Sequence, residues 1–135
     1  YFHVLNDLER IGDHAENFYE IGEEMLSKNL FFSDIAREEI KEMQKTILSM
    51  LDISKDAFEN LSRDKLSDLA ALESSADAMK KNLTANHFAR LAEGECNLAA
   101  SPYYSSAISG LERVADHLVN VGFSIVNPIG SQKEN

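Results

Sequence analysis

Apolar positions along the chain step by alternating threes and fours. Val4, Leu8, Ile11, Ala15, Phe18, Gly22 and Met25 form one such series. Ala36, Ile40, Met43, Ile47, Met50, Ser54, Ala57 and Leu61 form a second. Leu69, Leu72, Ala76, Met79 and Leu83 give a third, and Leu111, Val114, Leu118, Val121 and Ile125 a fourth. A 3.5-residue spacing marks an amphipathic helix with one apolar stripe. The pattern therefore predicts four helices over residues 1–28, 34–61, 65–92 and 102–126. Short connections make neighbours antiparallel, so the expected fold class is all-α, an up-down four-helix bundle with shallow crossings.

Local signals agree. Ser33 is a good N-cap, with Asp34 and Glu38 in the first turn facing the positive helix end. Phe32 is placed to staple onto that turn. Ser62-Arg63-Asp64 reads as a tight connection and Gly94–Ala100 as the longest break. Ser101-Pro102 is a helix start, with Pro at the first helical position. Asn127-Pro128 ends the last helix. One bundle over 1–128 and a polar tail over 129–135 are expected. The chain starts at Tyr1, without Met and inside a periodic segment, and reads as a piece of something longer.

Composition narrows the chemistry. With 13 basic and 23 acidic residues the net charge is −10. Sequence-independent nucleic-acid binding needs cationic groups facing phosphates and is not expected. The single cysteine, Cys96, rules out an internal disulfide or a CxxC zinc site. It reads as an unreactive loop thiol. No apolar run is long enough to span a bilayer. No Gly-rich phosphate loop, nucleotide fingerprint or Ser/His/Asp arrangement is present, and no enzyme activity is expected. Met25, Met43, Met50 and Met79 fall on stripes and read as core.

One feature is chemical. Leu8-Glu9-Arg10-Ile11-Gly12-Asp13-His14-Ala15-Glu16-Asn17 aligns with Leu111-Glu112-Arg113-Val114-Ala115-Asp116-His117-Leu118-Val119-Asn120 at an offset of 103 residues. A core repeat would keep apolar positions, whereas this one keeps charges, and repeated charge implies repeated chemistry. Glu and Asp at i and i+4 share a helix face and repel. A hard or borderline cation would turn that repulsion into binding. At about 100° per residue, Glu9 and Asp13 fall nearly opposite the first stripe, and Glu112 and Asp116 nearly opposite the fourth. They belong to a surface or groove. A solvated acidic face and a cation site stand level as readings. A ferritin-like centre is excluded, because no Glu has a His three residues on. Glu73 and Asp77 repeat the spacing on helix three, where chance could supply it. His14 lies near the edge of its stripe and reads as packed rather than ligating; His117 holds the matching place. Asn17 and Asn120, like Arg10 and Arg113, have plain surface readings. Val119, Phe123 and Val126 form a second apolar face on helix four, on the acidic side, and need some further surface to cover them.

These residues resemble the PhoU family, whose signature is a repeated acidic pair in Leu-Glu-Arg-Ile-Gly-Asp-His-type helices, one per three-helix repeat. Leu72-Glu73-Ser74-Ser75-Ala76-Asp77 resembles the acidic motif of the preceding helix. Arg90–Cys96 and Phe123–Pro128 resemble most the PhoU-like cytoplasmic tail of bacterial Na⁺/phosphate cotransporters. The resemblance implies a partial PhoU-like fold, with the last helix of one repeat and all of the next. It implies multinuclear iron or zinc held by Glu9, Asp13, Glu112 and Asp116, with Glu73 and Asp77 as helpers. It also implies a regulatory domain at the cytoplasmic face of the cell membrane, whose partner is the transporter's membrane domain. Two alternatives are carried beside it. One is a soluble PhoU-type regulator acting on a partner transporter. The other is a structural bundle that forms a homodimer without metal.

Overall fold

The structure, a computed structural model, describes residues 2–60 and 63–124, with side chains from residue 4. Leu61, Ser62, Ile125, Val126, the Asn127-Pro128 stop and the tail lie outside the described residues. Four long helices account for most of it: α1 (Phe2–Ser27), α2 (Asp34–Asn60), α3 (Leu66–Ala92) and α4 (Ser101–Ser124). Among the described residues none of them is long and apolar enough to cross a membrane.

The helix ends follow their local chemistry. Ser33 Oγ accepts from the Ala36 amide at 3.2 Å, the N-cap bond that opens α2. α1 closes with Asn29 at φ 56°; the Leu30 amide reaches back to the Met25 carbonyl at 2.8 Å. α3 closes the same way, with Gly94 at φ 72° and the Glu95 amide on the Arg90 carbonyl at 2.9 Å. Both are Schellman closures, and they use the two residue types that tolerate the left-handed region best. The break expected over Gly94–Ala100 contains a short 3₁₀ turn, Leu98–Ala100. The Asn97 side chain caps it by accepting from the Ala99 amide at 3.0 Å. Ser101 starts α4, but its hydroxyl bonds His87 Nε2 at 2.7 Å rather than capping the helix. Phe32 sets its ring edge-on to Tyr104 of α4, with centroids 6.0 Å apart.

Chain direction alternates, as expected. Glu39 of α2 meets Arg90 of α3, and Thr46 meets Met79, an antiparallel register. Asp7 of α1 meets His117, near the C-terminal end of α4, and Lys28 meets Tyr103, near its start. The cross-section is not a square, however. α4 is the central rod: it packs against α1, α2 and α3, and the substantial contacts of α1 are with α4. Met43, Met50, Leu69, Tyr104, Ile108 and Leu118 are the largest fully buried side chains. They fill the space between α2, α3 and α4.

That arrangement accounts for the two apolar faces of α4. Leu111, Val114, Leu118 and Val121 are buried, and Val119 and Phe123 pack against the same core from its edge. The surface that covers them is supplied by the chain itself. Gly122 allows the closest approach: a methyl group there would run into Leu69 Cδ2.

The stripe expected on α1 needs correction. Leu8, Ala15 and Gly22 are exposed. The face against α4 runs Val4, Asp7, Ile11, His14, Phe18, Ile21 and Met25, in the same 3.5-residue rhythm but turned partway round. α1 is apolar over two adjacent faces, and α4 takes the one bearing Ile11, Phe18 and Ile21. Phe18 lies against Gly110, which has no side chain to obstruct it.

Candidate acidic site on α3 and α4

Glu112 and Asp116 stand one helical turn apart on α4, and Glu73 and Asp77 one turn apart on α3. The two helices are antiparallel, so Glu73 comes beside Asp116 and Asp77 beside Glu112. Burial comes first in pushing Glu73 up to about 7; the closeness of Asp116 and the charges of Asp116, Asp77 and Glu112 add to it. Asp77 is raised by burial first, then by the closeness of Glu112 and the charges of Glu112 and Asp116. Four carboxylates thus lie in one row along the α3–α4 seam. Lys80, also on α3, puts its Nζ 3.1 Å from Glu112 Oε1.

The spacing on α3, open to coincidence in the sequence alone, lands against the α4 motif. Glu112 is half-buried and Asp116 exposed, so the α4 pair lies at the rim of a seam. Glu9 and Asp13 are exposed on α1. Among the described residues no ion pair joins them to another helix, and they are not brought to the α3–α4 row.

The histidines of the two motifs do meet. His14 and His117 stack across the α1–α4 contact with ring centroids 5.8 Å apart. His117 Nδ1 lies 2.9 Å from Asp7 Oδ1. Burial, then the charges of His117 and Arg113, pull His14 below its usual value. His14 is a packed residue between two helices. Asp7, only 9% exposed, has no counterpart in the repeat; its signal in the sequence is an acid at a position facing α4. Asn17 is exposed and Asn120 half-buried, and neither has a side-chain hydrogen bond among the described residues. Met25, Met43 and Met50 are buried and Met79 packs against the core.

A second polar cluster went unread in the sequence. Arg90 reaches from α3 to Glu39 of α2 with both terminal nitrogens, Nη1 to Oε2 at 3.1 Å and Nη2 to Oε1 at 2.7 Å. Tyr104 Oη of α4 donates to the same Oε1 at 2.8 Å. Asn86 adds a bond to Oε2 at 3.2 Å. Burial alone would push Glu39 up, but these donors outweigh it and hold it below its usual value. His87 stacks on Tyr104 at 4.4 Å. This bidentate ion pair locks α2, α3 and α4 at one end of the bundle.

In donor chemistry the acidic row fits a hard or borderline cation: carboxylate oxygens from two helices, already short of positive charge. Among the described residues no three His, Cys, Asp or Glu side chains converge on one point that would hold a metal ion. The carboxylates come in cross-helix twos, Glu73 with Asp116 and Asp77 with Glu112.

The PhoU domain model matches residues 40–125, which takes in most of α2, all of α3 and all of α4. The chain belongs to the PhoU family. No curated protein and no solved structure matches it. The PhoU domain suggests a regulatory role in phosphate signalling.

Proposed function

We propose that this chain is the cytoplasmic regulatory domain of a sodium-dependent phosphate transporter, and that it binds metal through the acidic row on α3 and α4. The observation that carries the metal reading is the pairing of four carboxylates across two helices, with Glu73 raised to about 7 by burial and its neighbours. Mutual repulsion of this kind weakens a bare bundle and is relieved by a cation. Glu73 with Asp116, and Asp77 with Glu112, would each offer two carboxylates to a cation, iron or zinc by resemblance to the family. It would supply charge neutralisation that ties α3 to α4. Metal occupancy, or docking of this face on the membrane domain of the transporter, would then report phosphate status.

Glu9 and Asp13 belong to the same proposal in a different setting. Leu5, Leu8, Gly12, Ala15 and Tyr19 are exposed on α1. Shifted by 103 residues they become Ile108, Leu111, Ala115, Leu118 and Gly122, which are all buried on α4. This correspondence supports reading α1 as the closing helix of a first repeat whose other helices would cover that face. They would also bring carboxylates to Glu9 and Asp13, as α3 does to α4.

The test is metal analysis of the purified chain after iron or zinc loading, beside the double variant Glu112→Gln, Asp116→Asn. Stoichiometric metal in the parent and its loss in the variant are expected. Equal metal in both would overturn the assignment. The sequence encoded upstream of Tyr1 separates a transporter tail, preceded by apolar segments of about 20 residues, from a separate regulator.

A further inference from the structure

The polar cluster that locks α2, α3 and α4 at one end of the bundle holds a histidine with no outlet for a second proton. His87 of α3 is 4% exposed. Its Nε2 lies 2.7 Å from Ser101 Oγ at the start of α4, and its ring stacks on Tyr104. Among the described residues Nδ1 has no hydrogen-bond partner, and neither has Nε of Arg90, one turn further along α3. The charged and titratable groups around the ring are Arg90 on α3, Glu39 on α2 and Tyr104 on α4. Glu95, exposed in the connection to α4, lies within the field of Arg90. Glu39 is the natural acceptor, but its oxygens are taken. Oε2 accepts from Arg90 Nη1 and Asn86 Nδ2, and Oε1 from Arg90 Nη2 and Tyr104 Oη. A carboxylate offers about four such places, so Glu39 is full.

A neutral imidazole can leave Nδ1 bare, whereas a protonated one carries N–H on both nitrogens. On His87 the second N–H would be buried without an acceptor, beside a guanidinium that already lacks one. We propose that His87 is a proton-sensitive latch: on taking a proton it releases Ser101, and the connection Glu93–Ala100 lifts while the core of α2, α3 and α4 stays closed. The connection is the cheapest part of the surroundings to open. Ala100 is its buried side chain, Cys96 is half-buried, and the others, with Leu98 at 74%, are exposed. Segments that bury so little open at low cost. Water admitted there gives Nδ1–H the acceptor it lacks. Burial first, then the Arg90 charge, hold the closed ring below its usual value against the pull of Glu39. The closed form therefore favours neutral His87, and opening gains as the pH falls below 6.5. The response is local and needs no metal.

The experiment is hydrogen exchange by mass spectrometry on the chain in EDTA at pH 7.5 and 5.5, each segment corrected for its intrinsic exchange rate. The set is the parent, His87→Gln and His117→Gln. A histidine that titrates at its ordinary 6.5 only when open shifts the opening equilibrium by at most about tenfold between these pH values. Protection over residues 94–103 of the parent is expected to fall severalfold, up to that limit, with residues 43–57 and 69–83 unchanged. His87→Gln should show equal protection of the segment at both pH values, and His117→Gln should behave as the parent. In the parent alone, the His87 imidazole resonance should move over the same pH range as the loss of protection. A loss that persists in His87→Gln assigns the response to another group such as Glu95 and overturns the latch. Titration of the His87 imidazole with no loss of protection overturns it too.

Discussion

Replacing Glu73 with Gln should stabilise the metal-free protein at pH 8 and leave it nearly unchanged at pH 4. Above its folded pKa of about 7, Glu73 is ionised beside Asp116, Asp77 and Glu112. The unfolded chain has no such neighbours, so ionisation there is unopposed. A carboxyl whose folded pKa is raised makes the folded state bind the extra proton, and stability falls as pH rises from the ordinary value of 4.5 toward about 7. The whole shift would correspond to about 3 kcal/mol. Water reaches this seam and screens the charges, so about 1 kcal/mol is the working figure. For a domain of this size that is a rise of about 4 °C in Tm. Gln keeps a donor for Asp116 and removes the charge. The assay is thermal unfolding by circular dichroism in EDTA from pH 4 to pH 8.5. The difference in Tm between variant and parent should open as the pH rises above 4.5, with half of it present by about pH 6 and a plateau above about pH 7. Added Mn²⁺ should reverse the order at pH 8, the parent gaining more than the variant. A constant difference at all pH values, or a variant less stable than the parent at pH 8, would refute the reasoning that the row is held together against its own charge.

Glu39→Ala strands the Arg90 guanidinium, whose side chain is 9% exposed, and should cost about 3 kcal/mol in urea unfolding. The double variant Glu39→Met, Arg90→Met should recover most of that, since apolar replacement of a buried pair is close to neutral. Burial and then Arg90 hold the His87 pKa below 6.5. Its neutral form therefore favours folding, fully above pH 6.5 and progressively less below it. The stability advantage of the parent over His87→Gln should shrink as the pH falls from 7 to 5. Gly110→Ala puts a methyl 2.6 Å from Phe18 Cε1 and should loosen α1 by about 1–2 kcal/mol. Hydrogen exchange should speed up in α1 and stay unchanged in α2 and α3, and Phe18→Leu in the same chain should restore protection.

Helix number, helix limits and chain direction were legible because each stripe is long, its period is unambiguous and the caps are chemically marked. Ser33 and Gly94 do in the structure what their residue types favour in any helix. Packing partners were less legible. A stripe records that a helix buries a face, not which helix receives it. α4, apolar on two sides, was the clue that one rod is central. On α1 the stripe blended two adjacent faces, and the larger side chains Ile11, Phe18 and Ile21 decided which one met α4. Polar core groups were hidden for a related reason. His87 and Arg90 continue the α3 stripe after Leu83 at the correct spacing, but residue type masks them. Their burial depends on Glu39, 51 residues before Arg90 in the chain. The meeting of Glu73 with Asp116 is likewise a matter of register between two helices, which neither motif encodes alone.

The repeated ten-residue pattern occurs here in two surroundings, and the contrast separates its roles. On α4 its apolar positions are enclosed by α2 and α3, and its acids face carboxylates from α3. On α1 the matching apolar positions are open, and Glu9 and Asp13 stand exposed. The contact between α1 and α4 uses neither acidic pair; it uses Asp7, His14 and His117 with the flanking apolar residues. Charge at Glu9 and Asp13 therefore does nothing for the packing present in this chain, and at Glu112 and Asp116 it opposes that packing. A residue pair that is idle in one setting and crowded by like charge in the other adds little to the stability of the bundle that carries it, and Lys80 offsets that crowding at Glu112 alone.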